Sequence, residues 1–183
     1  MTDIAVRLSG LFHEGREVKT DDVPLPPFDV LFIPDGPRAT GLILPQLAYH
    51  DVTDIVLAGT NLWHSPQLLE MAREFAQNAI VVDGFFKESQ LEVVRRFVDG
   101  YRELYAIEPG LVEAFAYDTA RMLFDLVDQP ELRLRTELRD ALQQVVFANG
   151  VTGTTLFDHR GEALKTLSLL RIQGNRFAEI EPQ

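Results

Sequence analysis

The sequence has no cysteine, only one tryptophan and few basic residues. Without cysteine the chain cannot form a disulfide framework or a thiolate zinc site, and it has no cysteine nucleophile. Seventeen Lys and Arg residues against 28 Asp and Glu residues give a net charge of -11. A protein this acidic repels nucleic-acid backbones and anionic lipids, so we expect neither as an unaided partner.

Long hydrophobic runs are also missing. No stretch approaches about 18 uninterrupted apolar residues, the length that spans a bilayer. The opening residues, MTDIAVRLSGLFHEGREVK, lack the basic start and apolar core of a signal peptide. The 183 residues are nevertheless 46% hydrophobic, enough for the core of one domain or of part of a larger protein. The composition therefore predicts a folded region and not a disordered tail.

The common sequence motifs for nucleotides, metals and acyl transfer do not occur. There is no Gly-x-Ser-x-Gly elbow, no phosphate loop with its lysine and no Gly-x-Gly-x-x-Gly fingerprint. The four histidines, His13, His50, His64 and His159, are scattered and form no pair at zinc-ligand spacing. We therefore predict no cofactor and no metal site.

Three units of a buried strand, a polar or glycine corner and a helix are predicted between residues 28 and 87. The strands lie within FDVLFIPDG, DIVLAG and NAIVVDGFF. Pro45 predicts a kink or break in the first helix, and Ser65 with Pro66 predicts a capped start of the second. Upstream, Ile4 to Phe12 predicts a short amphipathic helix, and three prolines in TDDVPLPPF predict a connector. The repetition favours a parallel α/β sheet with right-handed crossovers.

After Lys87 the pattern changes to consecutive helices and then to short strands. Helices are predicted within SQLEVVRRFVDGYRELYA, LVEAFAYDTARMLFDLVD and LRTELRDALQQVVF. Glycine-rich turns follow, around a strand pair predicted at 167–172 and 176–180. The predicted fold class is α/β: a parallel sheet of βα units, then a helical block and a short antiparallel finish.

Ligands of open parallel sheets bind beyond the carboxyl ends of the strands. Three corners follow the predicted strands and are expected to meet there: the first at 35–38, the second at 59–64 and the third at 83–86. Asp35 and Asp83 are expected to accept hydrogen bonds from an ammonium or hydroxyl group, and Arg38 to pair with a carboxylate. Thr60 and Asn61 place neutral polar groups in the second corner. The corners therefore predict a site for a small polar ligand.

These residues also have simpler interpretations. Asp-Gly after a strand is a common turn, and Arg38 beside Asp35 forms no more than a local ion pair in that view. Trp63 either packs in the core or forms an apolar wall of the cleft, a role for which Phe85 is the other candidate. Asp35 and Asp83 are also a hypothetical acid–base pair of a small enzyme, an idea that fails if they lie more than about 10 Å apart.

The order and spacing of these segments resemble the type I periplasmic binding proteins of the leucine/isoleucine/valine-binding class. They also resemble relatives of that class described as penicillin-binding protein activators. The resemblance covers nearly everything from Phe28 to Ile180. Its motifs are the strand end LAGT at 57–60, the helix AYDT at 116–119 and the turn GVTGTTLFDHRG at 150–161.

The resemblance implies two α/β lobes that close on a small ligand and are joined by three chain crossings. In that case residues 28–87 would form βα units of the second lobe, residues 88–149 would return to the first lobe, and residues 150–183 would form the final strands. The whole chain, 1–183, would then be a single region that is part of a larger two-lobed protein. Family members are longer, so the cleft is expected to be incomplete here. The ligand contacts that the resemblance implies are Asp35, Arg38, Asn61 and Trp63, with Tyr117 as an aromatic near the cleft.

The leading functional prediction is a non-enzymatic, solute-binding-like module of an extracytoplasmic, periplasmic protein. Its ligand would be an amino acid or a related small molecule, although Asn61 stands where the class carries an acidic residue for the ligand's ammonium group. The resemblance also implies a membrane permease or a cell-wall synthase as partner. The alternative is a regulatory interaction domain without a small ligand. Because helices without their usual cover expose apolar stripes, we also predict a homodimer.

Overall fold

The computed structural model of the protein describes residues 28–129 and 134–180. The helix predicted from Ile4 to Phe12 and the proline-rich connector lie outside these residues. The described residues form two sheets, one of five strands and one of three, together with five α-helices. Within the same ranges, the helices are all too short or too polar to cross a bilayer.

The first sheet begins with three parallel strands joined by helices, which confirms the predicted βα units. The strands pair in chain order and in parallel register. They are β1 (Val30–Ile33), β2 (Val56–Gly59) and β3 (Ile80–Asp83). Helix α1 (Pro37–Tyr49) connects β1 to β2, and helix α2 (Pro66–Ala72) connects β2 to β3.

The start of α2 follows the predicted capping signal. The Ser65 hydroxyl accepts a hydrogen bond from the Gln67 amide at 3.2 Å, and Pro66 occupies the first helical turn. A capping hydroxyl satisfies an amide that has no partner inside the helix, and proline has no amide to satisfy. The two residues together fix where the loop after β2 ends.

The break predicted at Pro45 does not occur, because α1 runs from Pro37 to Tyr49 with Pro45 inside it. A proline in a helix removes one amide donor and leaves only the carbonyl four residues earlier, here Gly41, without its helical partner. At that same residue α1 packs tightly on α2, since a Cβ at Gly41 would lie 2.9 Å from Cβ of Met71. Contact with α2 therefore stabilises the helix across the proline.

Two antiparallel strands complete the first sheet and confirm the strand pair predicted near the C-terminus. Strand β7 (Ser168–Gln173) pairs with β3, and β8 (Arg176–Glu179) pairs with β7, so the sheet order is β1-β2-β3-β7-β8. Gly174 and Asn175 form the two-residue turn between them. Gly174 has a φ of 59°, in the left-handed region that glycine adopts at no steric cost.

The first hydrophobic core lies between this sheet and helices α1 and α2. Side chains on β1 alternate, so that Leu31 and Ile33 contact the core while Val30 and Phe32 are exposed. The largest fully buried members of the core come from both helices, the loop after β2 and strand β7. They are Leu44, Trp63, Leu68, Leu170 and Ile172.

The chain between β3 and β7 forms a second group of elements. The three predicted helices are present there as α3 (Glu92–Tyr105), α4 (Leu111–Val127) and α5 (Arg135–Gln144). The prediction that the third helix continues to Phe147 is wrong, because the helix ends at Gln144 and a strand begins at Val146. The β-branched and aromatic residues at 145–147 favour a strand, and Phe147 pairs with Thr155 across the next one.

A second, three-stranded antiparallel sheet follows α5, where the sequence predicted only glycine-rich turns. Its strands are β4 (Val146–Gly150), β5 (Gly153–Phe157) and β6 (Ala163–Lys165). Val151, in the turn between β4 and β5, packs with α3 and α4 in a second hydrophobic core. The buried members of that core are Phe85, Val94, Phe97, Val98, Ala114 and Val151.

The two cores meet beside the end of β3. Phe86 belongs to the first core and its chain neighbour Phe85 to the second, so the chain leaves the first sheet at this point. It returns after β6, and the first residue of β7, Ser168, lies opposite Asp83 of β3. Both crossings between the two groups of elements therefore lie next to Asp83.

Gly59→Ala is expected to destabilise the first core because Trp63 fills the space beside Gly59. A Cβ at that position would lie 2.1 Å from Cδ2 of the indole. We expect the free energy of unfolding to fall by about 3 kcal/mol, since overpacking forces side chains and backbone to shift. Urea denaturation followed by tryptophan fluorescence measures this directly, because Trp63 is the only tryptophan.

Gly100→Ala in α3 is the matched control, because no atom lies within 4 Å of its added Cβ. Alanine at a helical glycine is expected to raise the free energy of unfolding by about 0.5–1 kcal/mol. Equal midpoints for wild type and Gly59→Ala would contradict the observed packing.

Candidate functional site

All five strands of the first sheet bring one end to the same edge. The parallel strands β1, β2 and β3 end there, β7 begins there and β8 ends there. This edge collects the polar residues that the sequence predicted as a site, and it adds Ser168 and Glu179. We call it the carboxyl edge, formed by Asp35, Arg38, Thr60, Asn61, Asp83, Ser168 and Glu179.

The first corner of the carboxyl edge is open to solvent. Asp35 is exposed, and its Oδ1 accepts a hydrogen bond from the Gly36 amide at 2.6 Å. Arg38 is exposed in the first turn of α1 and makes no ion pair with any described residue. The local Asp35–Arg38 ion pair is therefore not formed, and the guanidinium group is accessible to an anionic ligand.

The second corner combines a fixed threonine with an open asparagine. The Thr60 hydroxyl accepts from the Leu62 amide at 3.4 Å and caps a 3-10 turn at Asn61–Trp63. Asn61 is exposed, and its amide group has no partner in the parts of the chain that the structure describes. A free amide donates and accepts hydrogen bonds without carrying a charge.

Trp63 lies in the first core and does not line the carboxyl edge. Its side chain is 0% exposed, and its indole ring packs on Gly59 at the end of β2. The expectation that Trp63 forms a wall of the cleft is therefore corrected. The ring turns inward because Gly59 has no side chain to occupy that space.

The third corner is built around the buried carboxylate of Asp83. Oδ2 of Asp83 lies 2.6 Å from Nδ1 of His64, and Oδ1 accepts from the amides of Gly84 at 2.6 Å and Phe85 at 3.3 Å. Because an ionised carboxylate only accepts, Nδ1 of His64 carries the proton of that bond. The side chain of Asp83 thus joins the second corner to the third.

His64 is a site residue that sequence reasoning missed. Its ring packs edge-on against Phe177 at 4.6 Å between ring centres and also contacts Phe86. The signal available in the sequence was its place in the same corner, directly after Trp63. A lone histidine there does not reveal its aspartate partner, which lies 19 residues away.

The geometry does not support an acid–base pair of Asp35 and Asp83. Strand β2 lies between the strands that carry them, which separates those strands by roughly 10 Å. Asp83 is also occupied by His64 and two backbone amides. The described residues likewise contain no group of three or more His, Asp or Glu side chains placed to hold a metal ion.

Phe115 of α4 borders the carboxyl edge. A Cβ at Gly84 would lie 3.1 Å from Cζ of Phe115, so the ring contacts the chain directly after Asp83. Tyr117, the predicted aromatic, lies on the same helix about 200° further round. Its ring lies 4.6 Å from that of Phe97 and under the guanidinium group of Arg121.

Lys165, at the end of β6, places a cation beside Phe115. Its ammonium group donates to the Thr155 hydroxyl and lies 5.3 Å from the centre of the Phe115 ring. Burial lowers the pKa of Lys165, and the charge of Asp118 partly opposes that change. No carboxylate of the described residues forms an ion pair with it.

Asp118 of α4 fixes the turn between β4 and β5. Its side chain is 4% exposed and accepts three hydrogen bonds, from the amides of Val151 and Thr152 at 2.8 Å and from the Thr152 hydroxyl at 2.6 Å. Gly150 provides the room, since a Cβ there would lie 2.6 Å from Oδ2 of Asp118. The turn that carries the GVTG motif is therefore bound to the AYDT motif of α4.

A sequence model described as periplasmic binding protein matches residues 28–176. The match covers most of the chain, including the five described helices and the strands from β1 to β7. The chain belongs to the periplasmic binding protein family. This assignment confirms the resemblance drawn from the LAGT, AYDT and GVTG motifs.

Solved structures of amino-acid transport proteins share the fold. A Rhodospirillum rubrum protein assigned as a branched-chain amino acid ABC transporter is 25% identical, with a TM-score of 0.77 over 83% of this chain and 44% of its own. Leucine-binding protein LivK from Thermotoga maritima is 20% identical, with a TM-score of 0.63 over 84% of this chain and 44% of its own.

A third solved relative was crystallised with isoleucine. LivJ from Streptococcus pneumoniae is 22% identical to this periplasmic binding protein, with a TM-score of 0.60 over 94% of this chain and 47% of its own. The chain thus spans less than half the length of these relatives. Among curated proteins, none matches it.

Asp118→Asn is expected to destabilise the protein by about 2 kcal/mol, because an amide keeps one acceptor oxygen where the carboxylate has two. At least one of the buried amides of Val151 and Thr152 then loses its partner. The free energy of unfolding from urea denaturation measures the loss.

Asp125→Asn, at an exposed position two turns further along the same helix, removes the same charge and serves as control. It is expected to change the free energy of unfolding by under about 0.5 kcal/mol. An equal effect of both substitutions would show that charge, and not the three hydrogen bonds, governs the stability.

Proposed function

We propose that this chain supplies one wall of the ligand cleft of an extracytoplasmic solute-binding protein and has no catalytic activity. The observation that carries the proposal is the pair of open polar groups at the carboxyl edge, Arg38 and Asn61. Neither has a partner among the described residues, and they follow neighbouring parallel strands. Open α/β sheets bind their ligands beyond the carboxyl ends of the strands, which is where these two polar groups lie.

The proposed ligand is an amino acid or a related small molecule whose carboxylate makes the main charged contact. The LivJ complex with isoleucine supports the amino-acid class by fold. The charged side chains of this chain favour contact with the carboxylate group of the ligand. Arg38 and Lys165 have no carboxylate partner among the described residues, whereas Asp83 is hydrogen-bonded to His64. Asp35 is the contact proposed for an ammonium or hydroxyl group, with Thr60 and Asn61 beside it.

The opposing wall of the cleft is proposed to come from polypeptide outside these 183 residues. The chain spans 44% of the Rhodospirillum rubrum relative, which leaves more than half of that protein without a counterpart here. A membrane permease is the partner that the transporter relatives support. The division into second-lobe units at 28–87, the return at 88–149 and the final strands at 150–183 stays a proposal, as does Tyr117 as a cleft aromatic.

Isothermal titration of the chain with isoleucine and with 4-methylpentanoate, an apolar acid without the ammonium group, tests the ligand site. We expect saturable binding of both, weakened about three- to tenfold in Arg38→Ala and in Asn61→Ala, since each substitution removes one hydrogen-bonding contact. Asn149→Ala, at an exposed position of β4, should leave binding unchanged. Absence of saturable heat with either compound, or equal binding by all variants, would count against a solute site.

The second candidate function is a regulatory interaction domain without a small ligand, with a cell-wall synthase as the kind of partner. The observation that favours it is the apolar outer face of α4. Val112, Phe124 and Val127 are 74%, 72% and 60% exposed, while the opposite side of the same helix is buried in the protein. A helix that is apolar on both sides is normally buried on both.

We further propose that two copies of the chain associate through this outer face of α4. Light scattering after gel filtration is expected to give the mass of a dimer, and Phe124→Asp with Val127→Asp to give a monomer. Tyr49→Asp, at an equally exposed apolar position of α1, is the control and should stay dimeric. A monomeric wild-type protein would contradict the proposal.

A further inference from the structure

A shallow groove of about 430 Å³ lies between α5 and the turn that follows β5, on elements that contribute nothing to the carboxyl edge. Arg135, Leu138, Arg139 and Leu142 line it from α5 at the three- and four-residue spacings that place side chains on one helical face. Phe157 and Arg160 line it from β5 and the turn. The groove therefore combines an apolar floor with three guanidinium groups.

The charges lining the groove are all positive, although the whole chain has a net charge of -11. Arg139 pairs with its neighbour Asp140 at 2.6 Å. Arg135 and Arg160 are exposed and form no ion pair with any residue in the described ranges. Within the part of the chain that the structure describes, two of the three guanidinium groups therefore have no carboxylate partner.

The nearest acid in the turn does not neutralise Arg160. Oδ1 of Asp158 accepts hydrogen bonds from the backbone amides of Arg160 at 2.8 Å and Glu162 at 2.9 Å, so it closes the turn on itself. The Arg160 side chain therefore lines the groove without an ion pair to Asp158, two residues earlier in the sequence. Arginine held in this way is suited to pairing with a carboxylate from another molecule.

The floor of the groove offers apolar contacts to a partner, in addition to the ion pairs that the arginines can form. Leu138, Leu142 and Phe157 are half-buried, so each keeps apolar surface that a partner can cover. Arg135 and Arg139 lie one helical turn apart along this floor, about 6 Å. A single small anion cannot reach all three guanidinium groups and the floor together, whereas a peptide segment with successive carboxylates can.

We propose that this groove binds an acidic segment of a partner protein, in which carboxylates flank an apolar side chain. Charge complementarity supports this occupant, because the groove is a local cationic site on a strongly acidic chain. The net charge of the chain opposes long polyanions such as nucleic acid or an anionic membrane more strongly than a short acidic segment, because the repulsion grows with the charge of the partner. The interaction is separate from the proposed solute site, since no groove residue belongs to the carboxyl edge.

Fluorescence anisotropy with three labelled helical peptides tests the proposal. The first peptide carries glutamates one turn apart beside two leucines, the second has lysine in place of glutamate and the third has glutamine in place of leucine. We expect saturable binding of the first only. The double variant Arg135→Gln/Arg160→Gln should bind it about tenfold more weakly, because two ion pairs are lost.

Arg95→Gln/Arg96→Gln, two exposed arginines of α3, removes the same charge away from the groove and should leave the affinity unchanged. Urea denaturation of both double variants checks that they fold. Any of three results overturns the proposal: no saturable binding of the first peptide, an equal loss in the two double variants, or equal binding of the peptide without leucine. Binding to phosphatidylglycerol vesicles with the same arginine dependence would instead assign the groove to a membrane surface.

Discussion

The buried carboxylate of Asp83 is the point on which the arrangement of this protein depends. Asp83 ends β3 and accepts a hydrogen bond from Nδ1 of His64 in the second corner. It also accepts hydrogen bonds from the backbone amides of Gly84 and Phe85, where the chain leaves the first sheet. A buried carboxylate is stable only when such donors replace its water. One side chain therefore holds two corners of the carboxyl edge and one crossing to the second core in a fixed relation.

Asp118 performs the same task in the second group of elements, where it accepts the amides of Val151 and Thr152. Both aspartates accept hydrogen bonds from backbone amides that have no partner within a strand or helix. Buried backbone amides require such a hydrogen-bond partner. Two carboxylates of a strongly acidic chain are thus committed to its own backbone. Neither carboxylate is therefore a free acceptor for a ligand.

The local features of this fold were predictable because they rest on local physics. Apolar runs marked β1, β2 and β3, and Ser65 with Pro66 marked the start of α2. The second sheet was not predicted, since its pairing depends on contacts between distant residues that leave no periodic pattern in short strands. The His64–Asp83 and Asp118–Thr152 bonds join residues 19 and 34 positions apart for the same reason. Trp63 was ambiguous, because only the packing on Gly59 decides that the indole turns inward.

Under the proposed function, the placement of the open polar groups requires a second wall for the cleft. Arg38 and Asn61 stand on the edge of the first sheet, whereas Lys165 reaches the same region from the second group of elements across Phe115. Groups on only two sides leave part of a small ligand in contact with water, where solvent competes for each hydrogen bond. Enclosure by a third surface would remove that water and strengthen every contact. The apolar outer face of α4 also exposes surface that another polypeptide would bury. A single added surface in contact with both the carboxyl edge and α4 would complete the cleft and bury that face of the helix.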